Sequence, residues 1–283
     1  MNTYVTTTEI KTYLGVSGSS KDTLIAMLNK MATDELNQML SVRDLALHKV
    51  TGEVHDGLGA TKLVLDDLNV RAIGDITDDG TAYTQTPAYD VDNYILHLDD
   101  SLSGDEREVT IDYVAGWDAS GRATITVTTS GLGAAATITL GAVSTDGFTI
   151  TRGVDWTAAA TDALEAVAIA AALDAKAGVR AFALGNVVYC IEDTGAQVVS
   201  RTIASSDSVR LALSAATLNT LDFPESLRLA NMLLVSGLMA RRKNQKVKSY
   251  TIGTKSVTFT SDEDAAEFNR LIKPFQRASV FVI

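Results

Sequence analysis

The residues able to carry chemistry are few, and their spacing suits little of it. His48, His55 and His97 are the only histidines, and Cys190 is the only cysteine. No two of them stand at metal-ligand spacing, so a zinc site lacks ligands. Asp90-Val-Asp-Asn93 begins like a calcium loop, but Ile95 stands where the turn needs Gly and Ser101 where a bidentate Glu belongs. Gly57-Leu-Gly-Ala-Thr-Lys62 lacks phosphate-loop spacing and precedes a strand pattern rather than a helix. No G-x-S-x-G elbow presents a nucleophile. The acid pairs Asp66-Asp67, Asp78-Asp79 and Asp99-Asp100 fit turns better than glycosidase carboxylates. Cys190, in the apolar run Asn186–Ile191, reads as a small buried hydrophobe, and a lone cysteine suits a reducing cytoplasm. The expectation is a non-enzyme with no catalytic residues, no metal and no cofactor.

Two features suit contacts instead. Arg241, Arg242, Lys243, Lys246 and Lys248 crowd the end of a predicted helix. Cations there complement the helix dipole, or they meet phosphates or an acidic partner. No aromatics interleave them, which tells against a single-strand nucleic-acid surface. The second feature is the apolar tail Ser279-Val-Phe-Val-Ile283. A free apolar end costs solubility unless it docks, on its own domain or on a neighbour.

The elements that position these residues begin with Thr6-Thr-Thr-Glu9, a capping box for a short helix that Gly15 ends. Ser19 or Ser20 should cap a longer helix burying Leu24, Ile25, Leu28, Met31, Leu36 and Met39. Strand patterns follow at Lys62–Leu65, Val70–Ile76, Tyr94–Leu98 and Glu108–Val114, with a hairpin turn at Asp79-Gly80. In the last of these strands Val109, Ile111 and Tyr113 share one face. Alternation resumes at Ala123, Ile125 and Val127, and at Ala136, Ile138 and Leu140. An Ala-rich helix is predicted over 158–176, capped by Thr157, ended by Gly178 and docked on a sheet through Leu164, Val167 and Leu173. Two strands joined by Gly185-Asn186 complete this part. Pro224 opens a long helix along Leu227, Leu234 and Leu238. A hairpin across Gly253-Thr254 and a last helix from Ser261 through Leu271, stopped by Pro274, finish the chain.

Composition changes abruptly along this order. Residues 121–220 hold 23 Ala and 15 Thr, against 14 Ala in all the remaining 183 residues, and every Met and Pro lies outside them. Such a shift marks domain boundaries. The expected fold is α+β: a helical host domain with a small β-sheet, discontinuous in sequence (1–120 and 222–283), carrying an inserted β-rich α+β domain at 121–221. The net charge of −11 divides as −12 over residues 1–117, −4 over 118–222 and +5 over 223–283. An acidic body with a basic end suits stacking against partners of opposite sign. No run of about 18 uncharged apolar residues exists, so no membrane partner is expected. The first residues lack the pattern of a signal peptide.

With residues 121–221 set aside, the order of motifs resembles the head-to-tail connector (adaptor) proteins of long-tailed bacteriophages and related gene-transfer particles. The resemblance rests on the two N-terminal helices, Leu63-Val-Leu65, Val70-Arg-Ala-Ile73, and Val109-Thr-Ile-Asp-Tyr-Val-Ala-Gly116. It continues in Phe223-Pro-Glu-Ser-Leu227, Tyr250-Thr-Ile-Gly253, Ser256-Val-Thr-Phe259 and Leu271-Ile-Lys-Pro-Phe-Gln-Arg277. It covers about 180 residues. The departure is the Thr/Ala-rich segment, placed where relatives have a short loop; it is similar, more loosely, to β-rich modules of phage structural proteins. The resemblance implies a ring, usually of twelve copies, below the portal protein in the neck of the virion. The ring extends the channel through which genomic DNA passes without sequence-specific binding, and it docks a stopper or tail-completion protein. It implies synthesis in the bacterial cytoplasm and anchoring on the portal through the C-terminal segment: Phe275, Arg277, Val280, Phe281, Val282 and Ile283. The alternatives are another neck or tail-completion component, or a carbohydrate binder acting through the inserted segment.

Overall fold

The computed structural model describes residues 3–276 except 58, 84–88, 93, 99–100, 103–107, 119–120, 143–146, 193–200, 219–221, 243–247, 253–254 and 260. In chain order the elements are α1 (Thr7–Tyr13), α2 (Asp22–Leu40), β1 (His48–His55), β2 (Lys62–Val64), β3 (Val70–Asp78), β4 (Thr81–Ala82), β5 (Tyr89–Asp92), β6 (Ile95–Leu98) and β7 (Val109–Ala115). Then come β8 (Arg122–Val127), β9 (Thr137–Leu140), β10 (Phe148–Thr151), α3 (Asp162–Asp174), β11 (Val179–Leu184), β12 (Val187–Glu192), β13 (Arg201–Ser205), β14 (Leu211–Leu213) and β15 (Thr217–Leu218). The order closes with α4 (Glu225–Arg242), β16 (Lys248–Ile252), β17 (Lys255–Phe259), α5 (Asp262–Ile272) and a 3-10 turn, Lys273–Phe275. Helices and several small antiparallel sheets thus make a mixed α+β protein.

The chain packs as two compact units. One comprises Met1–Ala46, Asp66–Leu68 and Asp222–Ile283; the other comprises Leu47–Leu65 and Asn69–Leu221. The compositional border at residue 120 therefore runs inside the second unit.

The first unit is helical. Thr6 and Glu9 form the expected capping box, and Gly15 leaves α1 at φ +62°. The cap of α2 differs from expectation: Lys21 holds the N-cap position with no side-chain bond, while the carbonyl of Ser19 accepts from Asp22 N–H. Ile25, Leu28 and Leu36 are buried as predicted, but Met31 faces out, and Asn29, Thr33 and Asn37 run buried at four-residue spacing instead. Asn29 and Asn37 hold neighbouring segments through hydrogen bonds. The Asn29 amide donates to Val5 O at 2.6 Å, and Asn231 of α4 donates to Asn29 Oδ1 at 2.7 Å. The Tyr4 hydroxyl lies 2.7 Å from Asp44 Oδ1 and 2.5 Å from the Asn37 amide, and it accepts from Leu45 N–H. Burial first, then the Asp44 charge, pushes that hydroxyl well above the ordinary tyrosine range. Glu9 pairs with Arg228, joining α1 to α4. Pro224 stands immediately before α4, and its carbonyl accepts from Leu227 and Arg228. Strands β16 and β17 pair antiparallel, Ile252 opposite Lys255, while Gly253 and Thr254, across which the hairpin was expected, lie outside the described residues; Phe259 meets Phe268 of α5 at 5.1 Å.

The second unit is built of sheets. Strands β1, β7, β3 and β4 lie side by side in that order, as do β2, β6 and β5. Together they bury Leu63, Leu65, Ile76, Leu96, Val109, Ile111 and Tyr113. The β3–β4 turn holds Asp79 and Gly80 both at positive φ, 47° and 70°, which is the turn an Asp-Gly hairpin demands. Strand β1 went unpredicted because Gly52 interrupts its pattern. The glycine sits at φ +63° where the register against β7 slips between Val50 and Glu53, a bulge that turns Glu53 inward.

The Thr/Ala-rich part forms two further sheets, β11-β12-β8-β14 and β10-β9-β13-β15. Ala123, Ile125, Val127, Ile138, Leu140, Ile150 and Ile203 share a core with α3. Helix α3 starts later than expected, capped by Thr161 rather than Thr157. Its buried face also differs: Ala166, Ile169, Ala170 and Leu173 are inside, whereas Leu164 and Val167 are more than half exposed. The rotation follows from Glu165, which is fully buried and pulls its own side of the helix inward. The outer faces of β11 and β12 in turn meet the first sheet. Leu184, Tyr189 and Ile191 pack with Leu47 and Val114, and Phe182, Val187 and Ala72 join them. Arg180 donates to Leu47 O at 2.9 Å. Gly74 of β3 allows the approach, since a Cβ there would lie 2.5 Å from Leu184 Cδ1.

Candidate interaction surfaces

The C-terminal helix commits its apolar side internally. Ala265, Phe268, Leu271 and Ile272 are buried, while Asp262, Glu263 and Asp264 occupy its first turn and Ser261 caps it through Asp264 N–H. The charges of Asp264 and Glu267 are also felt by Tyr13 of α1, whose hydroxyl burial raises first and these acids raise further. Phe275 ends the 3-10 turn half-buried. Arg277, Val280, Phe281, Val282 and Ile283 lie outside the described residues.

The basic run is divided. Arg241 and Arg242 are exposed on the last turn of α4, where the helix carbonyls favour cations. Lys243 and Lys246 lie outside the described residues. Lys248 is the first residue of β16, opposite Phe259 in the strand register. The structure thus places the two arginines at a helix end and the last lysine on the following hairpin.

Further buried polar groups escaped sequence reading. Glu53, turned inward by the bulge, accepts from the Tyr113 hydroxyl at 2.5 Å and lies 2.8 Å from His55 Nε2. Arg201 spans both carboxylate oxygens of Glu192 at 2.7 and 3.2 Å, with both residues almost fully buried. Glu165 accepts from Arg152 Nε at 2.8 Å, the Trp156 indole at 2.7 Å and Ala159 N–H at 2.6 Å. Burial alone would raise its carboxyl; the bonds from Arg152, Ala159 and Trp156 and the Arg152 charge outweigh burial and hold it below the ordinary range. In each cluster the buried carboxylate is hydrogen-bonded to its neighbours, with His55 and Arg152 partly open to solvent. Among the described residues no group of three or more His, Cys, Asp or Glu is arranged to hold a metal ion. Cys190 is buried, and burial pushes its thiol up to about 12.

Some of the exposed side chains are apolar. On α1 and α2, Tyr13, Met27 and Met31 are exposed, and on α3 Leu164 and Val167 are. The aromatic residues of the Thr/Ala-rich part offer no exposed stacking platform: Trp156 and Tyr189 are buried, Phe148 packs on the core, and Phe182 stacks on Tyr189 at 5.2 Å. No described helix is long and apolar enough to cross a membrane. The chain matches no model of a known protein family, and comparison with curated proteins finds no match.

Proposed function

We propose that this protein is a structural component of a phage neck, a head-to-tail adaptor whose copies form a ring below the portal. The observation that carries the reading is the joining of the chain's two ends. Residues up to Ala46 and residues from Asp222 onward build one compact helical unit, with α1 and α2 from one end and α4 and α5 from the other. The resemblance implies that the two ends join in a host of 1–120 and 222–283; of that host, 1–46, 66–68 and 222–283 share the helical unit, while the rest of 47–120 belongs to the unit of the Thr/Ala-rich part. Glycan stacking, which needs exposed aromatic rings, has no such support.

In this reading the tail is the portal anchor. Helix α5 has already buried its own apolar side, so Val280–Ile283 bring apolar surface of their own, costly in water and stable once covered. The acidic first 117 residues suit a channel wall, because like charge keeps DNA from adhering as it passes. Arg241 and Arg242 suit an acidic partner on the stacking face.

Electron microscopy of the protein mixed with its cognate portal protein tests the proposal. The expected result is an added ring on the outer face of the portal, lost when residues 278–283 are deleted although the truncated chain stays folded. Normal portal binding by the truncation refutes the anchor. Density at the far end of the tail, or on tail proteins alone, refutes the adaptor and favours a tail-completion role.

A further inference from the structure

Helix α4 has two kinds of neighbour. It packs against α5 and β17, where Ala265, Phe268, Leu271 and Ile272 are buried and Phe259 meets Phe268. It packs also against α2, and there the buried side chains include Asn29, Thr33 and Asn37 of α2 and Asn231 of α4 itself. On these two helices the buried atoms Thr33 Oγ1, Asp34 Oδ1, Asn37 Nδ2, Arg228 Nε and Asn231 Oδ1 have no hydrogen-bond partner. A buried polar atom left without a partner costs free energy that water restores on exposure. Parting α2 from α4 relieves that cost, against the apolar surface of Ile25, Leu28 and Leu36 that parting uncovers. Parting α5 from α4 uncovers apolar surface with no such relief.

The ties that cross from the N-terminal helices to the start of α4 are polar or aromatic. Asn231 donates to Asn29 at 2.7 Å, Arg228 pairs with Glu9, and the Tyr4 ring stacks on Phe223 at 4.7 Å. Helix α2 ends at Ser41, whose φ of 54° is left-handed and uncommon outside glycine. Two residues on, the chain is fixed: Arg43 N–H donates to Asp67 Oδ1 at 2.8 Å, and its guanidinium reaches Asp66 at 3.2 Å. A stiff helix thus ends in one joint beside an anchored residue, the form a hinge takes. Tyr4 spans the joint. Its hydroxyl lies 2.5 Å from the Asn37 amide on one side and accepts from Leu45 N–H on the other.

We infer that the helical unit carries a built-in opening: α1 and α2 swing from α4 as one piece about Ser41, while α4, α5 and β17 stay together. The unpartnered groups of α2 and α4 lower the cost of the open form, and Tyr4 is the clasp that keeps it minor. The inference does not depend on the neck reading.

Amide hydrogen exchange of the full chain, followed segment by segment in rising sub-denaturing urea, tests it. In the wild type, α1 and α2 should exchange through an opening that leaves α4 protected, along with β8 and β12 of the other unit. Thr33→Val keeps the side chain's shape and removes its hydroxyl. It should slow exchange of α1 and α2 at least about fivefold, the effect of one relieved polar group. Tyr4→Phe keeps the ring on Phe223 and should speed that exchange at least about fivefold. Neither variant should alter β8 or β12. Exchange of α2 and α4 at one common rate in every urea concentration overturns the hinge. Unchanged or faster exchange of α2 in Thr33→Val overturns the part given to the unpartnered groups, the result expected if ordered water holds the hydroxyl. No change in Tyr4→Phe overturns the clasp.

Discussion

Gly74→Ala offers the sharpest test of how the second unit is assembled. The residue lies within β3 with no positive φ, so an alanine fits the backbone and by itself stabilises by about 0.4–1 kcal/mol through a less disordered unfolded chain. Its Cβ, however, would stand 2.5 Å from Leu184 Cδ1, 3.2 Å from Leu184 Cγ and 3.3 Å from Asp112 Cβ. Leu184 must then move against Leu47, Val114, Tyr189 and Ile191, and overpacking of that kind costs about 1–3 kcal/mol. The net expectation is a loss of about 1–2 kcal/mol. Leu184→Ala alone should cost about 2–5 kcal/mol. In that background the obstruction is gone, so Gly74→Ala should change sign and stabilise. The assay is a double-mutant cycle in urea, read by tryptophan fluorescence, because both tryptophans, Trp117 and Trp156, belong to this unit. Stabilisation by Gly74→Ala in both backgrounds would falsify the contact of β3 with β11.

Two further outcomes follow from the buried groups. Glu165→Gln should cost about 3–5 kcal/mol at neutral pH by leaving Arg152 uncompensated. Because the folded carboxyl is held below its ordinary range, its contribution is complete above that range and fades as pH falls through the lowered value. The gap between wild type and Glu165→Gln should therefore close in acid, and a gap unchanged at pH 2 refutes the ionised network. Cys190, with its thiol raised to about 12, should resist alkylation at pH 8 until the protein is unfolded in urea; rapid labelling of the native chain refutes its burial.

Much of the fold was legible where local signals agree. The capping box at Thr6 and Glu9, the Asp79-Gly80 turn and the alternation of Val109, Ile111 and Tyr113 each state one answer in a few residues. Strand β1 was not legible, because the bulge at Gly52 breaks a two-residue period. Strands β13 to β15 are short and offer at most five residues of pattern each. The outer face of α3 was misread for another reason. Where apolar residues lie on every side, periodicity cannot say which are inside, and the deciding residue was a glutamate whose partners, Arg152 and Trp156, come from the preceding loop. Nothing local marks an acid four residues from Thr161 as buried. The basic run and the tail were visible as composition, but composition gives no direction in space.

Strand β7 carries Tyr113 and Val114 into different cores, one shared with β2 and β6, the other with β11 and β12. The Thr/Ala-rich part bears a composition of its own. Yet it cannot be exchanged like a cassette, since any substitute must supply its own apolar surface for Leu47, Ala72 and Val114. Homologues lacking the segment should have polar residues at those three places, and a lineage gaining it would have to change them alongside.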